Sequence, residues 1–231
     1  MRVKSIMLLP MSSDPPHAIV IGGSGGIGTA VVDELSNAGW QVDAPSHAEL
    51  DITSRGAVIS HFEGKTPELL VCAAGVTDDS LIARMAPEQW DHVWNVNYRG
   101  ALHCAEAVLP SMRCRGAGHI VFLSSHSAFH PPGGQAAYAS AKAALLDLNR
   151  DLALRCGPEN IRVNTLIPGF LETRMTSGVS KSRRQEVLAA HSLGRFNTCQ
   201  VVAGFIRHLH ESMPHTSGQV FQLDSRPNFS G

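Results

Sequence analysis

At 231 residues, 43% hydrophobic and 17% charged, the chain has enough apolar material for one substantial core, within the range of a single α/β domain. A net charge of −1 and a pI near 6.9 exclude a general attraction to nucleic acid or to anionic membrane. No apolar run is long enough to span a bilayer.

The five cysteines contain no Cys-x-x-Cys pair and read as reduced thiols of a cytoplasmic protein. Twelve histidines invite a metal, yet none stands in ligand spacing with Cys or carboxylates, so no metal site is expected. Residues 1–16, basic, then briefly apolar, then Ser12-Ser-Asp-Pro-Pro16, read as a loose extension; the domain is residues 17–231.

His17-Ala-Ile-Val-Ile21 is a short strand that runs into Gly22-Gly-Ser-Gly-Gly-Ile-Gly28, after which Ala30, Val31, Leu35 and Ala38 keep helical spacing. A glycine turn between strand and helix lets the backbone approach a pyrophosphate, whose charge then meets the free N–H groups of the helix start. Gly22, Ser24, Gly25, Gly26, Ile27 and Gly28 are therefore expected to bind a dinucleotide.

Further strands are expected at Trp40–Ala44, Ala48–Ile52, Leu69–Ala73, His119–Leu123, Ile161–Ile167 and Gln219–Leu223, giving about seven in all. Between them lie a helix over Ser54–Phe62 capped by Thr53, one from Pro87 past Ala101, and one carrying Ala141, Leu145, Leu148 and Leu152. A last amphipathic helix is expected over Thr198–Glu211, preceded by a polar stretch, Met175 to Leu193, that reads as a substrate lid. The fold class is a single-domain Rossmann-type α/β fold, a doubly wound parallel sheet with helices on both faces.

Tyr138 and Lys142 lie four apart on one helix, so phenol and ammonium share a face. A cation near a phenol favours the phenolate and draws its proton chemistry toward neutral pH. Ser125 follows the strand ending at Leu123 and brings a hydroxyl to the carboxyl edge, where open α/β sheets bind ligands.

The glycine spacing, Cys72-Ala-Ala-Gly75, Asn97, the Ser125, Tyr138 and Lys142 set and Pro168-Gly-Phe-Leu-Glu-Thr173 occur in an order that resembles the short-chain dehydrogenase/reductase family. The resemblance implies a catalytic tetrad of Asn97, Ser125, Tyr138 and Lys142. Tyr138 would be the proton donor, Ser125 the second donor to the carbonyl oxygen, Lys142 the tuning cation and ribose ligand, and Asn97 the feed of a proton relay. It implies further cofactor contacts from Ser46 and His47 at the adenosine ribose and from Asp51 and Ile52 at the adenine. Ala73, Ala74 and Gly75 would lie beside the cofactor, with Pro168, Gly169, Leu171 and Thr173 on the nicotinamide side.

An acid is missing at Ser46, which leans the expectation toward NADP(H) over NAD(H). Within the family, Ala74–Met85, Gln135–Tyr138 and Pro168–Met175 are most similar to 3-oxoacyl-acyl-carrier-protein reductases of fatty acid or polyketide biosynthesis. Such an enzyme would be a cytoplasmic homotetramer, with Pro87 to Met112 and Ala136 to Cys156 as candidate interfaces. An acidic carrier protein would dock on Arg113, Arg115 and the run Lys181, Arg183, Arg184, away from Glu159. The alternatives are a reductase or dehydrogenase of a free ketone or alcohol, and a non-catalytic cofactor-binding interaction protein.

Overall fold

The computed structural model describes residues 14–227, so most of the proposed extension, residues 1–13, lies outside the described residues. Strands β1 (His17–Ile21), β2 (Gln41–Asp43), β3 (Leu69–Cys72), β4 (Gly118–Leu123), β5 (Ile161–Ile167) and β6 (Val220–Gln222) form one sheet in the order β2-β1-β3-β4-β5-β6. Every pairing is parallel. The central strands are continuous apolar runs because both faces are covered; β3 is buried throughout its length.

Helices α1 (Gly26–Asn37) and α7 (Cys199–Ser212) cover one face, sending Val31, Leu35, Val202, Ile206 and Leu209 into the core there. On the other face Val58 and Phe62 of α2 (Arg55–Phe62), Val108 and Met112 of α4 (Gly100–Arg115), and Leu145 and Leu152 of α5 (Ala136–Cys156) pack together. The chain leaves β1 toward β2 and then crosses back to β3 on the other side, so the strand order reverses at β1. The crevice above the carboxyl ends of β1 and β3 is the binding place this topology creates.

Three local expectations are corrected. Ala48–Ile52 is not a strand, so the sheet of the described residues holds six of the about seven strands expected. Ser46 closes a turn there by accepting the N–H groups of Glu49 and Leu50. Leu50 and Ile52 enter the core instead, and Ile52 lies so close to Gly100 that a Cβ on the glycine would stand 2.6 Å from its Cδ1. The cap of α2 is Ser54, whose side chain accepts from Ala57 N, because Thr53 has already given its N–H and hydroxyl to Asp51. The single helix expected beyond Pro87 is α3 (Pro87–Trp94), a π-helical turn at Asn95–Arg99 and then α4.

Asn164 on β5 is fully buried and holds the approach to β6. Its amide donates to Thr216 O at 2.9 Å, accepts from Gln219 N at 3.1 Å and meets His119 Nε2 at 3.1 Å. Truncation removes all three bonds, of which the one to His119 is fully buried and the two to the chain before β6 are part-buried. Asn164→Ala is expected to cost about 2–4 kcal/mol and lower Tm by roughly 5–15 °C in a thermal melt; an unchanged Tm would show that these bonds are replaceable.

Candidate active site

The glycine turn after β1 fits a cofactor phosphate. Gly22 has φ +85°, and a Cβ there would stand 2.6 Å from Ala74 N, so the loops after β1 and β3 touch backbone to backbone. A Cβ on Gly28 would come within 2.1 Å of Gly22 O. Helix α1 begins at the N-cap Gly25 with no side-chain cap and no acid in its first turn, which leaves its first N–H groups and positive dipole end for an anion. A Cβ on Gly26 would meet Thr173 Cγ2 at 2.7 Å, because the loop after β5 closes over the same helix start.

A crevice of about 1900 Å³ runs from this turn across the sheet edge. Its wall includes Gly22, Ser24, Gly25, Gly26, Ile27 and Gly28; His47, Asp51 and Ile52; and Ala73, Ala74 and Gly75. Ser125, Tyr138, Lys142, Pro168, Gly169, Leu171 and Thr173 line it as well. Met175, Val179, Arg183 and Val187 close one side, placing α6 (Lys181–Ala189) and the turn before it at the mouth.

Two candidates stand off the wall. Ser46 heads its turn, with its N–H donating to Glu49 Oε2 at 2.8 Å, while Pro45 and His47 line the crevice. Asn97 is buried behind Gly75. Asp43, the nearest acid on β2, is tied to Lys65 and lies 3.2 Å from His61, so its carboxylate belongs to the end of α2. Glu49 is exposed, and its bond to the Ser46 N–H lowers its pKa.

Lys142 is 4% exposed and its Nζ donates to Leu123 O at 2.9 Å. Burial lowers its pKa to about 8, with a small opposing effect of Cys72. The ammonium lies over the Tyr138 ring, 5.8 Å from its centroid. Burial raises the Tyr138 phenol, a hydrogen bond with Ser125 draws it back, and the charge of Asp79 raises it further. Desolvation thus dominates the phenol in this structure, while the Lys142 ammonium answers Leu123 O.

The amide nitrogen of Asn97 donates to Val93 O and Val76 O, both at 2.8 Å. Its Oδ1 is buried without a partner. Both this oxygen and Lys142 Nζ flank Gly75, at 2.8 and 3.4 Å from where a Cβ would stand. The π-helical turn carries Asn97 into that position, and nothing in the spacing of apolar residues signals it.

Several wall residues were not expected. His126 follows Ser125 directly, and burial with Arg226 nearby lowers its pKa to about 4, so it is neutral at pH 7. Arg226 is pinned by Asp224, whose side chain is fully buried; Nε lies 2.7 Å from Oδ2. Asp79 reaches Gln135, 56 residues away, at 2.8 Å. Such pairings carry no sequence signal beyond the residue types themselves.

Arg113 and Arg115 do not ring the mouth of their own chain. They end α4 just before β4 begins, at the amino edge of the sheet, opposite Tyr138. Arg113 moreover pairs with Glu159 at 2.8 Å, so the two belong to one corner rather than to alternative ones. Arg115 pairs with Glu68 at 3.5 Å. Arg184 is bound to Glu172, and Arg183 to Glu186 at 3.0 Å, on the mouth side. Among the described residues no group of three His, Cys, Asp or Glu is placed to hold a metal ion, and no helix is long and apolar enough to cross a membrane.

A family model described as enoyl-(acyl carrier protein) reductase matches residues 29–225. Together with the glycine turn and the Ser125, Tyr138 and Lys142 set, this establishes that the chain belongs to the short-chain dehydrogenase/reductase family of oxidoreductases. Its relatives include the 3-oxoacyl-[acyl-carrier-protein] reductase of Escherichia coli, 31% identical over 222 residues, which cover 86% of this chain and 91% of that one. The enzyme of the same description from Mycobacterium bovis is 31% identical over 89% of this chain and 90% of its own. That of Thermotoga maritima is 37% identical over 158 residues, covering 68% of this chain and 64% of its own.

A buried lysine with a folded pKa of about 8 must be discharged or destabilise the fold. Below pH 8 the unfolded and folded chains both hold its proton, and the desolvation penalty, about 3 kcal/mol from the shift, is fully present. Between about 8 and 10.5 the unfolded chain binds more protons, so stability rises with pH as the penalty fades. Lys142→Met removes this penalty and also the buried bond to Leu123 O, so the Tm of the variant relative to wild type is expected to fall by several degrees between pH 7 and pH 10.5. A difference independent of pH would mean that Lys142 is not destabilised by burial.

Proposed function

We propose that the chain reduces a β-ketoacyl thioester, carried by acyl-carrier protein, to its 3-hydroxyacyl form with NADPH. The observation that carries this reading is that two hydroxyls, Tyr138 and Ser125, line with Lys142 a crevice whose other end is a phosphate-fitting glycine turn. Two O–H donors converging on one place suit a single carbonyl oxygen on which negative charge develops. The relatives described as 3-oxoacyl reductases support the thioester as substrate class.

The nicotinamide cofactor supplies the hydride when bound. Gly22 to Gly28 and Thr173 would hold its phosphates, and Lys142 its ribose. Tyr138, kept protonated at neutral pH by burial, gives its proton to the substrate oxygen while Ser125 donates a second hydrogen bond. Asn97 Oδ1 and Lys142 Nζ, both close to Gly75, would form the relay by which Tyr138 recovers a proton.

The lean toward NADPH rests on Asp43 being engaged by Lys65 and His61, leaving no β2 acid for a ribose hydroxyl. The exposed Glu49 works against a 2′-phosphate, so the preference is modest. Carrier docking falls to the lid, where α6 begins at Lys181 and Arg183 lines the crevice, rather than to Arg113 and Arg115. The protein would be a cytoplasmic homotetramer with Pro87 to Met112 and Ala136 to Cys156 as its interfaces, a reading supported by the stacked Trp90 and Trp94 on α3 and the exposed Leu154 on α5. Fatty acid or polyketide biosynthesis would be its setting.

Tyr138→Phe is expected to lower kcat by at least about 100-fold with NADPH binding retained. Lys142→Ala should weaken both. The deciding experiment offers NADPH and NADH with carrier-bound and small β-ketoacyl thioesters, a 2-enoyl thioester and simple ketones. Faster reduction of the β-keto thioesters with NADPH supports the proposal. Preference for the enoyl substrate, for free ketones or for NADH would replace the corresponding part, and binding of cofactor with no turnover at all would favour the interaction protein.

A further inference from the structure

Ser125 has one proton to give and two lone pairs, and its usefulness as a donor depends on where that proton points. One lone pair is occupied: Ser127 N donates to Ser125 Oγ at 3.2 Å, closing the short 3₁₀ turn His126–Ala128. Ser127 is itself held, since its hydroxyl donates to Gln135 Oε1 at 3.0 Å. Gln135 Nε2 then donates to Asp79 Oδ2 at 2.8 Å.

The direction of this chain is decided by chemistry. An ionised carboxylate only accepts, so the Gln135 amide must turn its NH₂ to Asp79 and its oxygen to Ser127. That oxygen in turn fixes the Ser127 hydroxyl as donor. Asp79 and Gln135 lie on the loops after β3 and β4, which are also joined by Ser80 N donating to Gly134 O at 2.9 Å. Two stretches distant in sequence thus meet at one polar link running to the reacting hydroxyl.

The geometry points to Asp79, Gln135 and Ser127 as positioning residues that orient the Ser125 hydroxyl toward the substrate oxygen. This rests on the reductase reading above. By fixing Ser127, the link keeps its N–H on Ser125 Oγ. That donation holds Ser125 Oγ in place and strengthens its hydroxyl as a donor, to Tyr138 as the structure stands and to the substrate oxygen when one is bound. Asp79 has a second effect, because its charge favours the protonated form of Tyr138. The charged and titratable groups that share the wall with Tyr138 are Asp79 after β3, His92 on α3, His126 and His130 after β4, Lys142 on α5 and Arg226 near the carboxyl end, together with His47, Asp51, Arg174, Arg183 and Glu186. Of the three carboxylates, Asp79 is the one whose charge bears on Tyr138.

The test compares wild type, Asp79→Asn and Asp79→Glu by kcat against pH, NADPH dissociation constant, Tm, and absorbance titration of Tyr138 by difference from Tyr138→Phe. The amide of Asp79→Asn can present either face to Gln135 and carries no charge. Its kcat is expected to fall roughly tenfold, with NADPH affinity and Tm unchanged. The Tyr138 midpoint and the alkaline limb of kcat should both move to lower pH. Asp79→Glu, which restores the acceptor and the charge, should recover most of the rate.

An unchanged kcat and midpoint in Asp79→Asn would overturn the proposal. So would equal impairment of both variants with a lowered Tm, which would make Asp79 merely structural. If wild type reduces none of the substrates offered, the reductase reading fails, while an unmoved Tyr138 midpoint in Asp79→Asn still overturns the link independently of turnover.

Discussion

The site depends on a two-way clamp between the end of β4 and the second turn of α5. The Lys142 ammonium donates to Leu123 O at 2.9 Å, and the Ser124 hydroxyl donates to the Lys142 carbonyl at 2.8 Å. Both bonds are buried, where a lost partner costs more than a made bond yields. They hold the helix against the strand end, so that Tyr138, one turn earlier, meets the hydroxyl of Ser125 immediately after the strand. The same lysine proposed to hold the cofactor is also the residue that locates the helix. Its depressed pKa is the mark of that double duty: a group placed only for stability would not be a desolvated ammonium.

How much of this was legible follows from the range of the signals. Strand, glycine turn and α1 are contiguous, and the periodicity of Ile19, Val31 and Leu35 reports their burial directly. Tyr138 and Lys142 are one helical repeat apart, so their shared face is a property of the helix alone. The stretch Ala48–Ile52 misled because a short apolar alternation fits a strand or a turn that drops two side chains inward. There the Glu49 carboxylate on the Ser46 N–H decided for the turn. The π-helical turn at Asn97 and the Asp79 to Gln135 bond depend on contacts between segments far apart in the chain, and local spacing says nothing of them. Arg113 and Arg115 show the same limit. Their charge was readable, but the end of the sheet they occupy follows only from the direction of α4.

Charge is distributed along the crevice so that its two ends ask for different things. At the glycine end, the uncapped start of α1 offers backbone donors and a positive dipole with no acid in the first turn, a place for anions. At the other end the cations around Tyr138 are already engaged, though Lys142 keeps further N–H donors for the ribose it is proposed to hold. Arg226 is neutralised by the buried Asp224, which also accepts from Gln222 Nε2 at 2.6 Å; His126 is neutral at pH 7, and Lys142 answers Leu123 O. What remains free to act on a substrate there is the pair of hydroxyls. A neutral carbonyl needs no cation to bind and benefits from O–H donors only as its oxygen becomes negative, so stabilisation is greatest where the barrier lies. The burial that raises Tyr138 serves the same end, because a phenol that stays protonated until the oxygen becomes basic is a proton donor rather than a standing negative charge.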